Sequence, residues 1–197
     1  MNTSLRKLFG VFTPQAAQST ILHDRESRKR INAVSLVARL RNFDSLPYLR
    51  SLEDMATLMN DYYSSIAEVV LSTNGDIDSF SGATIVGFYY EQRFETHRSL
   101  AGALCTRLDS VVRSFKERYE VGIGVGLCTG ALLYGSYGYA VRRCITAFGE
   151  PVACASQLAD GETHINICNR LGLAEGDLTA GAPSAACVVS HWHPPNH

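Results

Sequence analysis

Several things are scarce in this chain, and each scarcity removes a class of function. Its 18 basic and 19 acidic side chains leave a formal net charge of -1, which gives no long-range attraction for nucleic acid or an anionic membrane. No apolar leader followed by a small-residue cleavage site opens the sequence, so no secretory signal is expected. The six cysteines, Cys105, Cys128, Cys144, Cys154, Cys168 and Cys187, contain no Cys-x-x-Cys pair. Only His164 and Cys168 stand at a ligand-like spacing, and two candidate ligands do not make a metal site. Reduced, mostly buried thiols are expected, which points to the cytoplasm.

One stretch has no charged side chain at all, from Val121 to Val141, and Gly122, Gly126 and Gly130 fall there at the spacing of packed membrane helices. Yet Val121, Ile123, Val125 and Leu127 alternate with Gly122, Gly124 and Gly126, a period of two that signals a strand. Direct membrane insertion is therefore not expected.

What is present suits one soluble core with flanking segments: 46% of the 197 residues are hydrophobic and 19% charged. Residues 1–32 read as a prefix and connector. Leu5, Leu8, Phe9 and Phe12 share one side of the prefix, Pro14 breaks it, and the basic group Arg25, Arg28, Lys29 and Arg30 reads as a solvated helix end. A domain is expected over 33–174, followed by a weakly ordered tail over 175–197. His191, His193 and His197 in that tail have no acidic partner in sequence, so no metal site is expected there.

Within the domain, Val34, Leu36, Ala38 and Leu40 alternate as a strand. Leu52, Met55, Met59, Tyr62, Ile66, Val69 and Val70 recur at three and four residues, a helix that Ser51 and Asp54 cap and Asn74-Gly75 end. Asp76 to Tyr90 reads as a hairpin around Ser81-Gly82. A second helix follows, with Leu100, Leu104, Leu108, Val112 and Phe115 on its buried face. After the glycine-alternating strand come a loop carrying Arg142 and Arg143, a short strand over 145–148 and a helix over 151–158. This order predicts an α+β fold with helices packed on one side of a mainly antiparallel sheet.

Five segments, in this order, resemble the catalytic domain of class III adenylate and guanylate cyclases. Leu8 to Pro14 resembles the prefix of many bacterial members. VSLVARLRNFDSL (Val34 to Leu46) is similar to the first strand and turn, LFADIRGFTSL in the family. GDIDSFSGATIVGF (Gly75 to Phe88) resembles the hairpin G-x-V-D-K-F-x-G-D-A-V-M-A-V. VGIGVGLCTG (Val121 to Gly130) resembles V-R-I-G-I-G-I-H-T-G, and ITAFGEPVACASQL (Ile145 to Leu158) resembles Y-T-V-I-G-D-A-V-N-L-A-A-R-L. The resemblance implies a ferredoxin-like class III nucleotidyl cyclase fold and a head-to-tail dimer whose sites lie at the interface.

It also implies what has been lost. Cyclases of this family hold two Mg²⁺ or Mn²⁺ ions on two aspartates, and those positions correspond to Arg39 and Ala83 here. Hard dications need oxygen ligands, so no metal is expected. The purine-reading lysine corresponds to Ser79, the ribose-orienting asparagine to Ala153 and the transition-state arginine to Gln157. Thr146 alone stands where a family purine-selecting residue is retained.

The expectation is a catalytically inactive pseudocyclase, dimerising with itself or with a cyclase-type domain in a regulatory or scaffolding role in cyclic nucleotide signalling. Two alternatives remain open. Arg39, Thr146, Arg142 and Arg143 could contact a nucleotide or another anion without metal, against the plainer reading that Arg39 pairs with a neighbouring carboxylate. Alternatively, the chain is an active cyclase with an unorthodox site.

Overall fold

A computed structural model describes residues 28–93, 95–139, 142–161, 164–171, 178–180 and 189–192. The prefix to Gln18, His193 and His197 lie outside them. Among the described residues, eight strands form one sheet: β1 (Arg28–Leu40), β2 (Asp76–Ser81), β3 (Thr84–Tyr90), β4 (Ile123–Tyr139), β5 (Arg142–Phe148), β6 (Ile165–Cys168), β7 (Leu178–Ala180) and β8 (Val189–Trp192). The order is β2-β3-β1-β4-β6-β8-β7, with β5 paired to the far half of β4. Every pairing is antiparallel except β4 with β6.

The helices are α1 (Leu46–Leu49), α2 (Leu52–Ser72), α3 (His97–Tyr119) and α4 (Glu150–Ala159). The Ser51 side chain accepts from the Asp54 backbone N–H at 3.1 Å, and Asp54 accepts from the Ser51 hydroxyl at 2.7 Å. This cap starts α2 where the sequence puts it. Asn74 in the left-handed region, φ 62°, turns the chain out of the helix into β2.

Burial explains the layering. The long helices α2 and α3 cover one face of the sheet, with Leu58, Ile66, Leu104 and Leu108 packed into a core with Leu36, Ile85, Ile123 and Leu127. The short α4 covers the central strands from the other face, where Ala155 and Leu158 meet Val37 and Cys128. Each fully buried aliphatic side chain contributes about 2 kcal/mol.

Glycines allow α4 to lie close against the sheet. A methyl group built on Gly124 would sit 2.0 Å from the Ala159 carbonyl oxygen, and one on Gly126 2.0 Å from that of Ala155. These contacts are to backbone, so only glycine fits. The glycine alternation in this stretch thus marks a strand roofed by a helix. No helix among the described residues is long and apolar enough to cross a membrane.

Several elements differ from expectation. The strand β1 begins at Arg28, so Arg28, Lys29 and Arg30 pair with Gly135, Tyr134 and Leu133 and do not end a helix. Arg142 and Arg143 are the first residues of β5 and not part of a loop. The strand β6 lies in a segment with no predicted element, and β7 and β8 lie within the expected tail. Cys105, Cys128, Cys144 and Cys154 are free thiols as expected, whereas Cys168 is disulfide-bonded.

Candidate functional site

Strand β1 and the β2-β3 turn end side by side. Gly82, at φ 53°, makes the turn that brings Ala83 back to the end of β1. Three donors fix it there: the Leu40 N–H and the Tyr62 hydroxyl both donate to the Ala83 carbonyl at 3.0 Å, and the Tyr63 hydroxyl donates to the Gly82 carbonyl at 2.7 Å. Burial raises the Tyr62 phenol well above its ordinary range, so it remains a neutral donor.

Beside this junction is a cleft of about 620 Å³ whose lining includes Arg39, Arg41, Asn42, Phe43, Ala83 and Asp160. Arg39 and Ala83, 44 positions apart in sequence (83 minus 39), are thus brought together as the motif comparison implies.

The Arg39 guanidinium is held from three directions. One terminal nitrogen, Nη1, donates to both Asp160 carboxylate oxygens, at 2.6 and 2.5 Å. The other, Nη2, donates to Ser156 Oγ at 3.0 Å, and Nε donates to Thr84 Oγ1 at 3.2 Å. Arg41 donates to the Gly161 carbonyl at 2.5 Å. Two arginines from one strand end therefore meet the C-terminal end of α4, where the helix dipole favours cations. The Arg39 side chain is 33% exposed and that of Asp160 54%, so the pair stays within reach of solvent.

Thr146 and Ser79 come together elsewhere. The Thr146 hydroxyl on β5 donates to Asp78 Oδ2 at 2.9 Å, and Ser79 also hydrogen-bonds that carboxylate. Asp78 sits at a register shift between Ile77 and Ser79, which turns it inward. Burial raises its carboxyl to about 6, against the opposing pull of the Thr146 and Ser79 hydrogen bonds. Asp78 Oδ1 and the hydroxyls of Tyr90 and Tyr134 are buried without a hydrogen-bond partner.

Ala153 and Gln157 lie one turn apart on the exposed side of α4. Arg142 and Arg143 do not approach the Arg39 cleft along the backbone: Arg39 pairs with Gly124, whereas Arg143 pairs with Gly138, fourteen residues farther along β4. Sequence reading missed Asp160, Ser156 and Thr84 as partners of Arg39. Asp160 and Ser156 lie 121 and 117 residues from Arg39 in sequence, so no local pattern pointed to them.

No protein-family model and no curated protein matches the sequence. Solved structures do match it, adenylyl and guanylyl cyclases among them. A bacterial light-regulated adenylyl cyclase is 14% identical over 96% of this chain, with a TM-score of 0.78, and the match spans 61% of that protein. The adenylyl cyclase CyaB from P. aeruginosa is 18% identical over 86% of this chain and 97% of its own, with a TM-score of 0.73. A dimeric guanylyl cyclase domain of the RhoGC fusion protein from the aquatic fungus Blastocladiella emersonii is 16% identical, covering 85% of this chain and 96% of its own, with a TM-score of 0.67. The fold is that of adenylyl and guanylyl cyclase domains, a mixed layer of helices and mainly antiparallel sheet.

Proposed function

We propose that this chain is a catalytically inactive cyclase homologue that acts as a dimerising regulatory or scaffolding domain. The observation that carries the reading is the Arg39–Asp160 pair. In similar motifs the equivalent strand end supplies one metal aspartate and the hairpin turn supplies the other. Here the donors are a guanidinium and a methyl group, and the Asp160 carboxylate is already engaged through both oxygens. This set does not fit a pair of dications, because a cation already stands in their place.

The positions corresponding to purine, ribose and transition-state contacts carry short or neutral side chains, Ser79, Ala153 and Gln157. A positioned cation facing developing charge is worth several kcal/mol of barrier, and Gln157 supplies none. The test is an assay with Mn²⁺ and ATP, GTP, CTP or UTP at high protein concentration. No cyclic product above a heat-killed control is expected; product abolished by Arg39→Ala would overturn the reading.

A dimeric role is supported by exposed apolar side chains. Phe148 is 56% exposed and Leu133 44%, and the two face each other across β4 and β5. Tyr137 packs edge-on against Phe148, with ring centroids 4.6 Å apart. Such a patch on a projecting ribbon suits a second cyclase-type chain. A cytoplasmic location is part of the same proposal, supported by the free thiols Cys105, Cys128, Cys144 and Cys154.

The open cleft favours a second reading, a metal-independent sensor of a nucleotide or other anion. Arg39 would have to exchange Asp160 for the ligand, and its partial exposure leaves it accessible. Thermal shifts with a nucleotide panel in EDTA test this. A shift lost in Arg39→Ala supports it, and no shift for any nucleotide removes it.

A further inference from the structure

Among the described residues, five large apolar side chains are exposed: Tyr48, Leu52, Leu71, Leu133 and Phe148. Four of them fall into two patches, and the patches differ in charge.

The first patch is on the ribbon. Arg30 on β1, Leu133 on β4 and Phe148 on β5 are register partners in one row across three strands, so they share a face of the sheet. Arg28 stands over the Tyr137 ring, 5.4 Å from its centroid, and that ring packs against Phe148. Residues 28–32 and 131–148 contain five cations, Arg28, Lys29, Arg30, Arg142 and Arg143, and no acidic side chain. Glu150, just beyond them, is ion-paired with Arg170 at 2.9 Å.

The second patch lies at the opposite end of β1. Past Leu40 the chain runs through Asp44 into α1 and α2, where Tyr48 is 89% exposed and Leu52 82%. Asp44, Glu53 and Asp54 are exposed beside them. Asp54 caps α2, and Arg50, the cation of this stretch, donates to the Tyr119 carbonyl. No ion pair among the described residues engages Arg28, Lys29, Arg30, Asp44 or Glu53.

We propose that the two patches bind each other between copies of this chain, the basic ribbon of one copy seating on the acidic start of α1 and α2 of the other. Resting on the dimeric reading above, this pairing names the two surfaces that form the contact. Two ribbons face to face would set arginine against arginine, and two α1 segments carboxylate against carboxylate, and both arrangements repel. A ribbon on the acidic patch joins unlike charges and covers apolar surface on both sides. The thirteen residues of β1 set the patches about 40 Å apart. A two-fold axis across that strand lays each end of one copy on the opposite end of the other, so the contact forms twice and the assembly closes at two chains.

Charge reversal in the full chain tests the pairing. Arg28→Glu with Arg30→Glu makes the ribbon acidic, and Asp44→Lys with Glu53→Lys makes the patch basic. By sedimentation equilibrium at low salt, each variant alone is expected to dimerise about tenfold or more weakly than the unsubstituted chain. Mixing the two should restore the dimer, because every contact in the mixed pair again joins unlike charges, and restoration also shows that both variants are folded. Where a reversal unfolds the chain, Arg30→Gln and Glu53→Gln should each flatten the salt dependence of dimerisation, and an unchanged dependence in either overturns the pairing. A dimer untouched by both reversals, or weakened by both and not restored on mixing, overturns the pairing while leaving the dimeric reading intact. A monomeric unsubstituted chain overturns both. If that monomer sediments with phosphatidylserine vesicles through Arg28 and Arg30, the ribbon belongs to a membrane surface instead.

Discussion

Arg39 is anchored by a strand hydroxyl, a helix hydroxyl and a carboxylate, so a single side chain ties β1, β3 and α4 together. Returning two carboxylates to the junction should reverse its chemistry. In Arg39→Asp with Ala83→Asp, differential scanning fluorimetry is expected to show stabilisation by millimolar Mn²⁺ of about 2 kcal/mol. The natural chain should show none, and an equal shift in both would contradict the assignment of these two positions. Asp78 gives a second residue-level prediction. Its buried carboxyl titrates at about 6 against an ordinary 3.8, so the native chain holds a proton that the unfolded chain has released. Stability is therefore fullest below the unfolded value, falls as pH rises through that window, and stays lowered above it. Asp78→Asn keeps an acceptor for Thr146 and cannot ionise. Urea titrations from pH 4 to 7 should show a flatter profile and a gain of about 1 to 2 kcal/mol at neutral pH; an unchanged slope would rule out Asp78 as its source.

At the scale of elements, the contact between α4 and β4 is the most demanding, because helix carbonyls face bare strand backbone at Gly124 and Gly126. Gly126→Ala is expected to cost about 3 kcal/mol, since a backbone oxygen must move to admit the methyl. The loss should appear in urea denaturation, whereas Gly102→Ala, with nothing within 4 Å of the added carbon, should be neutral or stabilising. Element type was legible in sequence wherever one face of an element is buried and the other is not. The spacing of Leu104, Leu108 and Phe115 gave α3, and the alternation of Val34, Leu36 and Ala38 gave β1. Strand β6 was not legible because its four residues, Ile165 to Cys168, are too short a run for a period to stand out. Arg142 and Arg143 read as loop because two adjacent charges interrupt an apolar pattern, but the antiparallel return along β4 extends β5 through both. The cleft was half legible: the motifs placed Arg39 and Ala83 together, but Asp160 is 121 residues from Arg39 and no local pattern links them.

For the molecule as a whole, the long β4-β5 ribbon carries Leu133, Phe148 and Tyr137 on its surface. Size-exclusion chromatography with light scattering at tens of micromolar is expected to report a dimer. Phe148→Glu should weaken it about tenfold or more, as removal of a central aromatic anchor does. A monomer in the unsubstituted chain would count against the scaffolding role while leaving the sensor reading intact.

The bond from Arg39 to Asp160 also sets how this architecture responds to its surroundings. Domains that borrow charge from dissolved ions are hostage to the supply of those ions and to any chelator that competes for them. A guanidinium written into the chain cannot be diluted, exchanged or stripped away, so the joint between β1 and α4 should hold equally well in magnesium-rich and magnesium-starved solution.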